Sequence, residues 1–224
     1  MMDRSTYRAM GLLGVANLLL ILAPLFIAPI PPFGPGADLV AFNVSHRGAL
    51  MLGNYLGVIQ LPIGLALLIF ISAVTRQAEE ASRGWLWMLI FGSGLCAATA
   101  GVVIAFLFLV TPLIAGLGQS ALALLAQLGL YDLDISYAIQ SLLLGAIGLA
   151  TFRLRHLPAW LGYAACLAAA LSWFGTFGLV ATSGPFAAAG PVALFGAGLS
   201  LPGWILLVGL YWLVHPGPKE RHGH

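Results

Sequence analysis

A chain of 224 residues that is 61% hydrophobic and 7% charged, with a mean hydropathy of +1.01, is excluded from the soluble globular class. There about a quarter of residues carry charge. The length suits about six membrane spans of roughly 20 residues and excludes two large membrane domains. Nine Lys and Arg against seven Asp and Glu leave a formal net charge of +2, too little for a nucleic-acid surface, so the placement of the charges carries the information.

The first apolar run, 9–31, follows Arg4 and Arg8. It is too long for a signal peptide, and IAPIPP puts proline where small cleavage residues belong, so an uncleaved first span is predicted. GPGAD, 34–38, closes the first connection. The stretch AFNVSHRGALMLGNY, 41–55, then carries His46, Arg47, Asn54 and Tyr55 into a second span over 48–75. Arg47 and Asn54 are seven residues apart, on nearly one helical face. Two readings follow. In one, His46, Arg47, Asn54 and Tyr55 rim a ligand entrance; in the other, Arg47 snorkels to the headgroups and Asn54 bonds a neighbouring helix. The sequon Asn43-Val44-Ser45 is read as coincidental.

A third span, 85–111, follows the polar connection TRQAEEASR. The charge-free segment 113–130 is predicted to be an apolar helix lying on, or re-entering, the outer surface, because a further span would invert the later charges. Spans four to six are predicted at 135–152, 159–183 and 191–215. FRLRHLP and TSGPF connect them. With six spans, Arg4, Arg8, Arg76, Arg83, Arg153, Arg155, Lys219 and Arg221 fall on one side and Arg47 on the other. Both termini are therefore expected in the cytoplasm. The fold class is an all-α polytopic bundle, a single domain over 1–215 with a short mobile tail over 216–224.

Arg47 is then the outer face's lone cation, and Asp132 or Asp134, placed before the fourth span, is expected to pair with it as a structural ion pair. No carboxylate is expected within a span. Mid-span polar residues are Asn17, Gln60, Thr99, Gln140, Ser172 and Ser200, a belt in which Gln60, Gln140 and Ser200 are candidate ligand-binding residues and equally candidate interhelical glue. Pro62 and Pro202 follow Gln60 and Ser200 by two residues and would free the carbonyls of Val58 and Gly198. Trp85, Trp87, Trp160, Tyr163 and Trp212 read as an interfacial belt, with Trp173 and Trp204 deeper. Cys96 and Cys166 read as small buried hydrophobes, not a disulfide.

No HExxH, CxxC or GxSxG elbow is present. Neither a catalytic residue, nor a metal, nor a cofactor is predicted. The terminal HGH reads as solvated tail.

Two stretches, RSTYRAMGLLGVANLLLILA and RHLPAWLGYAACLAAALSWFGTFG (155–178), resemble small bacterial six-helix membrane proteins grouped as a domain of unknown function. The resemblance implies a bacterial cytoplasmic membrane and carries no activity or site residue. The leading functional expectation is a non-enzymatic bundle that binds a small apolar or amphipathic ligand, or a partner membrane protein, through a cavity open to the outer face. A small passive permease and an enzyme acting on a lipid or isoprenoid are the alternatives. The expected partners are the lipid bilayer, a small apolar ligand and a second copy of the chain.

Overall fold

The computed structural model describes residues 3–29, 38–79, 84–114, 116, 118–181, 183–187 and 190–217. Arg83, Lys219, Arg221, His222 and His224, and with them most of the expected tail, lie outside the described residues.

Seven α-helices form, and no strand occurs among the described residues. They are α1 Arg4–Ile27, α2 Leu39–Ser45, α3 Arg47–Ala78, α4 Leu86–Val110, α5 Gln119–Leu154, α6 Ala159–Gly175 and α7 Ser200–Val214. A 3-10 turn, Thr176–Leu179, extends α6, and a π-helical segment, Val192–Ala197, precedes α7. Six spans long and apolar enough to cross a membrane result, over Arg4–Pro24, Arg47–Ala78, Leu86–Val110, Gln119–Leu154, Ala159–Leu179 and Val192–Val214. The protein is a multi-pass membrane protein.

Polar side chains start the helices where the backbone leaves N–H groups free. Asp3 caps α1 by accepting from the Thr6 N–H at 2.8 Å and the Thr6 hydroxyl at 2.6 Å, and these bonds hold its carboxyl below the usual range. Asp38 caps α2 through the Ala41 N–H at 2.9 Å, while Gln119 Oε1 accepts from the Leu39 N–H at 3.0 Å and so docks α2 on the start of α5. Glu79 accepts from the N–H groups of Leu86 at 3.1 Å and Trp87 at 3.3 Å, so the end of α3 caps α4. Arg76 lies 5.1 Å over the Trp87 ring beside it.

Consecutive spans pack side by side and α7 closes on α1, giving a ring of antiparallel helices in the order α1, α3, α4, α5, α6, α7. The α1–α7 crossing is tight: a Cβ on Gly14 would meet the Gly209 Cα at 3.1 Å, and one on Gly11 the Gly209 carbonyl oxygen at 2.8 Å. Dispersion between close backbones replaces the hydrophobic drive that lipid does not supply.

Two expectations are corrected here. Segment 113–130 is no separate interfacial or re-entrant helix. Residues from Gln119 run unbroken into the fourth span, and α5 spans 36 residues, about 54 Å at 1.5 Å per residue. The short extra helix is α2 instead, between the first two spans. Second, carboxylates do lie within a span, because Asp132 and Asp134 are interior residues of α5.

The main core occupies the half of the bundle that carries Arg4, Arg8, Arg76, Arg153 and Arg155. There Tyr7, Phe70 and Trp212 pack edge to face, with centroids 4.9 to 6.2 Å apart, among Leu67, Leu144, Ile147 and Val208. Trp212 is thus a core residue and not an interfacial anchor, whereas Trp85, Trp160 and Tyr163 are exposed as a belt requires. Cys96 and Cys166 are free and exposed on the bundle's outside. Among the described residues the other half holds two small clusters, around Leu39 with Leu122 and around Tyr137 with Ala193 and Ala197.

Candidate functional site

Among the described residues, one cavity opens where the core thins and another within the core's edge. The first, about 300 Å³, lies in the half away from the arginines. Its walls come from the end of α1 (Pro24, Ala28), α2 (Leu39, Asn43), α3 (Leu50, Asn54), α4 (Phe108, Thr111), α5 (Ala126, Leu130, Leu133) and the π-helical segment (Leu194, Phe195). Each of its three polar residues gives one hydrogen-bond donor to backbone. Asn43 Nδ2 donates to Leu39 O at 2.8 Å, Asn54 Nδ2 to Phe108 O at 2.8 Å, and Thr111 Oγ1 to Leu107 O at 2.7 Å. A lining so largely apolar selects by shape and burial.

The second cavity, about 230 Å³, sits near the bundle's middle, lined by Gln60, Gly64, Gln140, Gly198, Pro202 and Trp204 among others. Gln60 Nε2 donates to Asn17 Oδ1 at 2.8 Å and ties α3 to α1. Asn17 is fully buried, and its Nδ2 finds no acceptor. Gln140 reaches Ser136 Oγ only at 3.4 Å, and its Oε1 finds no donor. Trp204 closes the floor, with Nε1 donating to Leu161 O at 3.0 Å.

The predicted belt therefore divides. Gln60 and Gln140 share a cavity wall, with Asn17 directly behind Gln60. Ser200 does not join them: its hydroxyl bonds Ser172 at 2.5 Å and Ala197 O at 2.7 Å, tying α7 to α6. Thr99 is exposed and bonds back to Leu95 O at 2.9 Å. Pro202 falls in the first turn of α7, where a missing N–H costs little, so it marks a helix start more than a bend.

Of the predicted entrance rim, only Asn54 lines the first cavity. Tyr55 is 58% exposed. His46 is the joint between α2 and α3, its ring on Phe42 at 4.7 Å and its Nδ1 within 3.0 Å of Phe42 O. Arg47 is exposed at the first position of α3, one turn beyond Leu50 of the cavity wall. The expected ion pair is absent. Asp132 Oδ2 and both Asp134 oxygens find no hydrogen-bond partner, and the two residues lie about 20 Å along α5 from Gln119, well below the end where Arg47 stands. Arg47 stands exposed, with no acidic group among the described residues paired to it.

Sequence reasoning missed Asn43, Phe108, Leu130 and the π-helical segment as cavity wall. Phe108, Leu130 and the π-helical segment share their apolar character with every lipid-facing neighbour, and Asn43 reads in the sequence only as part of a sequon. It also missed Asn17 as the partner of Gln60. Comparison of the chain with protein-family models, with curated proteins and with solved structures finds no match, so function is argued from geometry.

Proposed function

We propose that this chain is a membrane-embedded, non-enzymatic binding protein for a small, largely apolar molecule held in the cavity away from the arginines. In this reading that end faces outward and the arginine-rich end faces the cytoplasm, by the rule that basic residues stay inside. The membrane is then a bacterial cytoplasmic membrane, in line with the family resemblance.

The observation that carries the reading is the cavity's lining, twelve of whose fifteen residues are apolar, with one donor of each of the three polar side chains bonded to backbone. A ligand there gains mainly apolar burial. The permease reading is weaker for a structural reason. Tyr7, Phe70 and Trp212 pack, buried, in the interior toward the arginine end, where a permeation path would have to run.

The test uses the purified wild type and Leu130→Trp, which fills the cavity, with Leu142→Trp on the 53%-exposed outer face as control. Solvent extracts of each are compared by mass spectrometry. An apolar species in near-stoichiometric amount in wild type and in the control, and depleted about tenfold or more in the cavity variant, supports the reading; a tenfold loss corresponds to about 1.4 kcal/mol. Extracts that do not differ among the three refute it.

A further inference from the structure

Asp134 is the one acidic or basic side chain in the buried set among the described residues, with 0% relative exposure and no hydrogen bond to either carboxylate oxygen. It lies on Gly178 of the 3-10 turn: a Cβ there would come within 2.8 Å of its Oδ1 and Cγ. Glycine is what permits that approach. Tyr137, three residues along α5, packs its ring on Gly175, and its hydroxyl lies 3.3 Å from the position of a Cβ on Gly198. This edge of α5 is therefore seated in a seam made by the two irregular pieces of the bundle, the 3-10 end of α6 and the π-helical start of the sixth span.

The seam offers Asp134 no countercharge. Thr176–Leu179 and Val192–Ala197 contain no ionisable residue. On α5 the neighbours are Tyr131, Asp132 and Tyr137, none of them a cation. From α4 the nearest ionisable group is the exposed Cys96 thiol, and α6 brings only Tyr163 and Cys166, about 18 Å or more along its axis from Gly178. Asp38, His46 and Arg47 stand at the far end with α2 and the start of α3. A lone carboxylate in a dry seam has two ways out. It takes a proton, or the seam parts and water hydrates it.

We propose that Asp134 is a proton-binding site that controls this seam. Loaded, the neutral acid lets α5 close on the 3-10 and π-helical segments. On unloading, the acid gives its proton to water entering the seam, and the segments part around the hydrated carboxylate. Irregular turns make them the pieces least held by helix hydrogen bonding. Leu194 and Phe195 of the π-helical segment, with Leu130 and Leu133 of α5, also wall the apolar cavity, so the proton sets the shape of that cavity. The coupling concerns the cavity of the binding reading, but protonation and seam opening are measured with no ligand, so either reading can fail alone.

The test compares wild type and Asp134→Asn in lipid nanodiscs from about pH 5 to about pH 9, spanning the usual and the elevated carboxyl ranges. Infrared spectroscopy reads the carboxylic-acid C=O band. Hydrogen exchange, corrected for intrinsic rates, reads peptides covering Thr176–Leu179 and Val192–Ala197. Wild type should show an acid band missing from the variant. As that band bleaches with rising pH, exchange in both segments should rise by up to about tenfold per pH unit, the slope for one proton released on opening. The variant's exchange should stay flat. A wild type with no such acid band anywhere in the range, or with segment exchange that follows the variant's at every pH, overturns the proposal. Carbon-13 labelling of aspartate in wild type assigns the band should the variant fail to fold.

Discussion

The bond between Gln60 and Asn17 crosses from α3 to α1 at 2.8 Å, in a place where Asn17 has no exposed surface and an unbonded Nδ2. Replacing Gln60 with Met keeps the side chain's length and removes the bond. An interhelical hydrogen bond in a membrane protein is worth on average only about 0.6 kcal/mol. The larger loss comes from Asn17, whose Oδ1 then joins Nδ2 without a partner in a dry interior, adding about 1 kcal/mol or more. The single variant should therefore lose roughly 1 to 3 kcal/mol. Adding Asn17→Leu removes both orphaned atoms, and the double variant should return to within about 1 kcal/mol of wild type. Reversible unfolding in mixed micelles, run as a double-mutant cycle, measures all four states. A neutral Gln60→Met, or a double variant as unstable as the two singles summed, would refute the reasoning. A double variant as stable as wild type would show that stability does not require this polar pair.

Two further outcomes are expected. Gly14→Ala should lose about 1 to 3 kcal/mol, because its Cβ would meet the Gly209 Cα at 3.1 Å, while Gly57→Ala, with open space around it, should be neutral or slightly stabilising in the same unfolding assay. His156, in the α5–α6 connection, is held by burial at a pKa of about 4 against its usual 6.5 and has an unpartnered Nδ1. The unfolded chain therefore binds the extra proton first as pH falls below 6.5. Stability should drop by about 1 to 2 kcal/mol on going from pH 7 to about pH 5, and the drop should shrink in His156→Gln.

Hydropathy places the six spans because each must cross a layer of fixed thickness. It fails at α5 for an identifiable reason. Asp132 and Asp134 look like a loop in a composition scan, so the fourth span is predicted to start at 135, and its true start at Gln119 is missed. A helical-period reading could have found it. Leu122, Ala126, Gly129, Leu133, Tyr137, Gln140, Leu144 and Ile147 recur every three or four residues straight through the aspartates, and each is buried or half-buried. At the site, residue type was legible and partnership was not. That Gln60 and Gln140 face inward follows from depth and polarity. That Gln60 chooses Asn17, while Ser200 turns to Ser172, depends on the rotation of each helix about its axis. Arg47 was misassigned with the aspartates for the same reason as α5, since a fourth span that starts at Gln119 and not at 135 sets Asp132 and Asp134 inside it, away from Arg47.

The two halves of the bundle divide stability from adaptability. Near the arginines α1, α3 and α7 are locked by large rings, α3 and α4 by the Glu79 cap, and α6 and α7 by the Trp204 bond to Leu161 O. Opening that half would expose the buried Trp204, Trp212 and Tyr7 together. Away from the arginines the helices leave regular geometry at Thr176–Leu179 and Val192–Ala197, the core shrinks to two small clusters, and Asp134 stays unpaired. Each of these departures lowers local stability, and local opening is easiest where buried contacts are fewest. Their coincidence with the larger cavity fits selection for a deformable wall there better than selection for overall stability. Natural sequences break local rules mainly where function requires it. The packed half then serves as the fixed frame against which the other half moves. Stabilising substitutions should accordingly be tolerated near the arginines, and the same gain in packing around Leu130, Leu194 and Phe195 should come at the expense of binding.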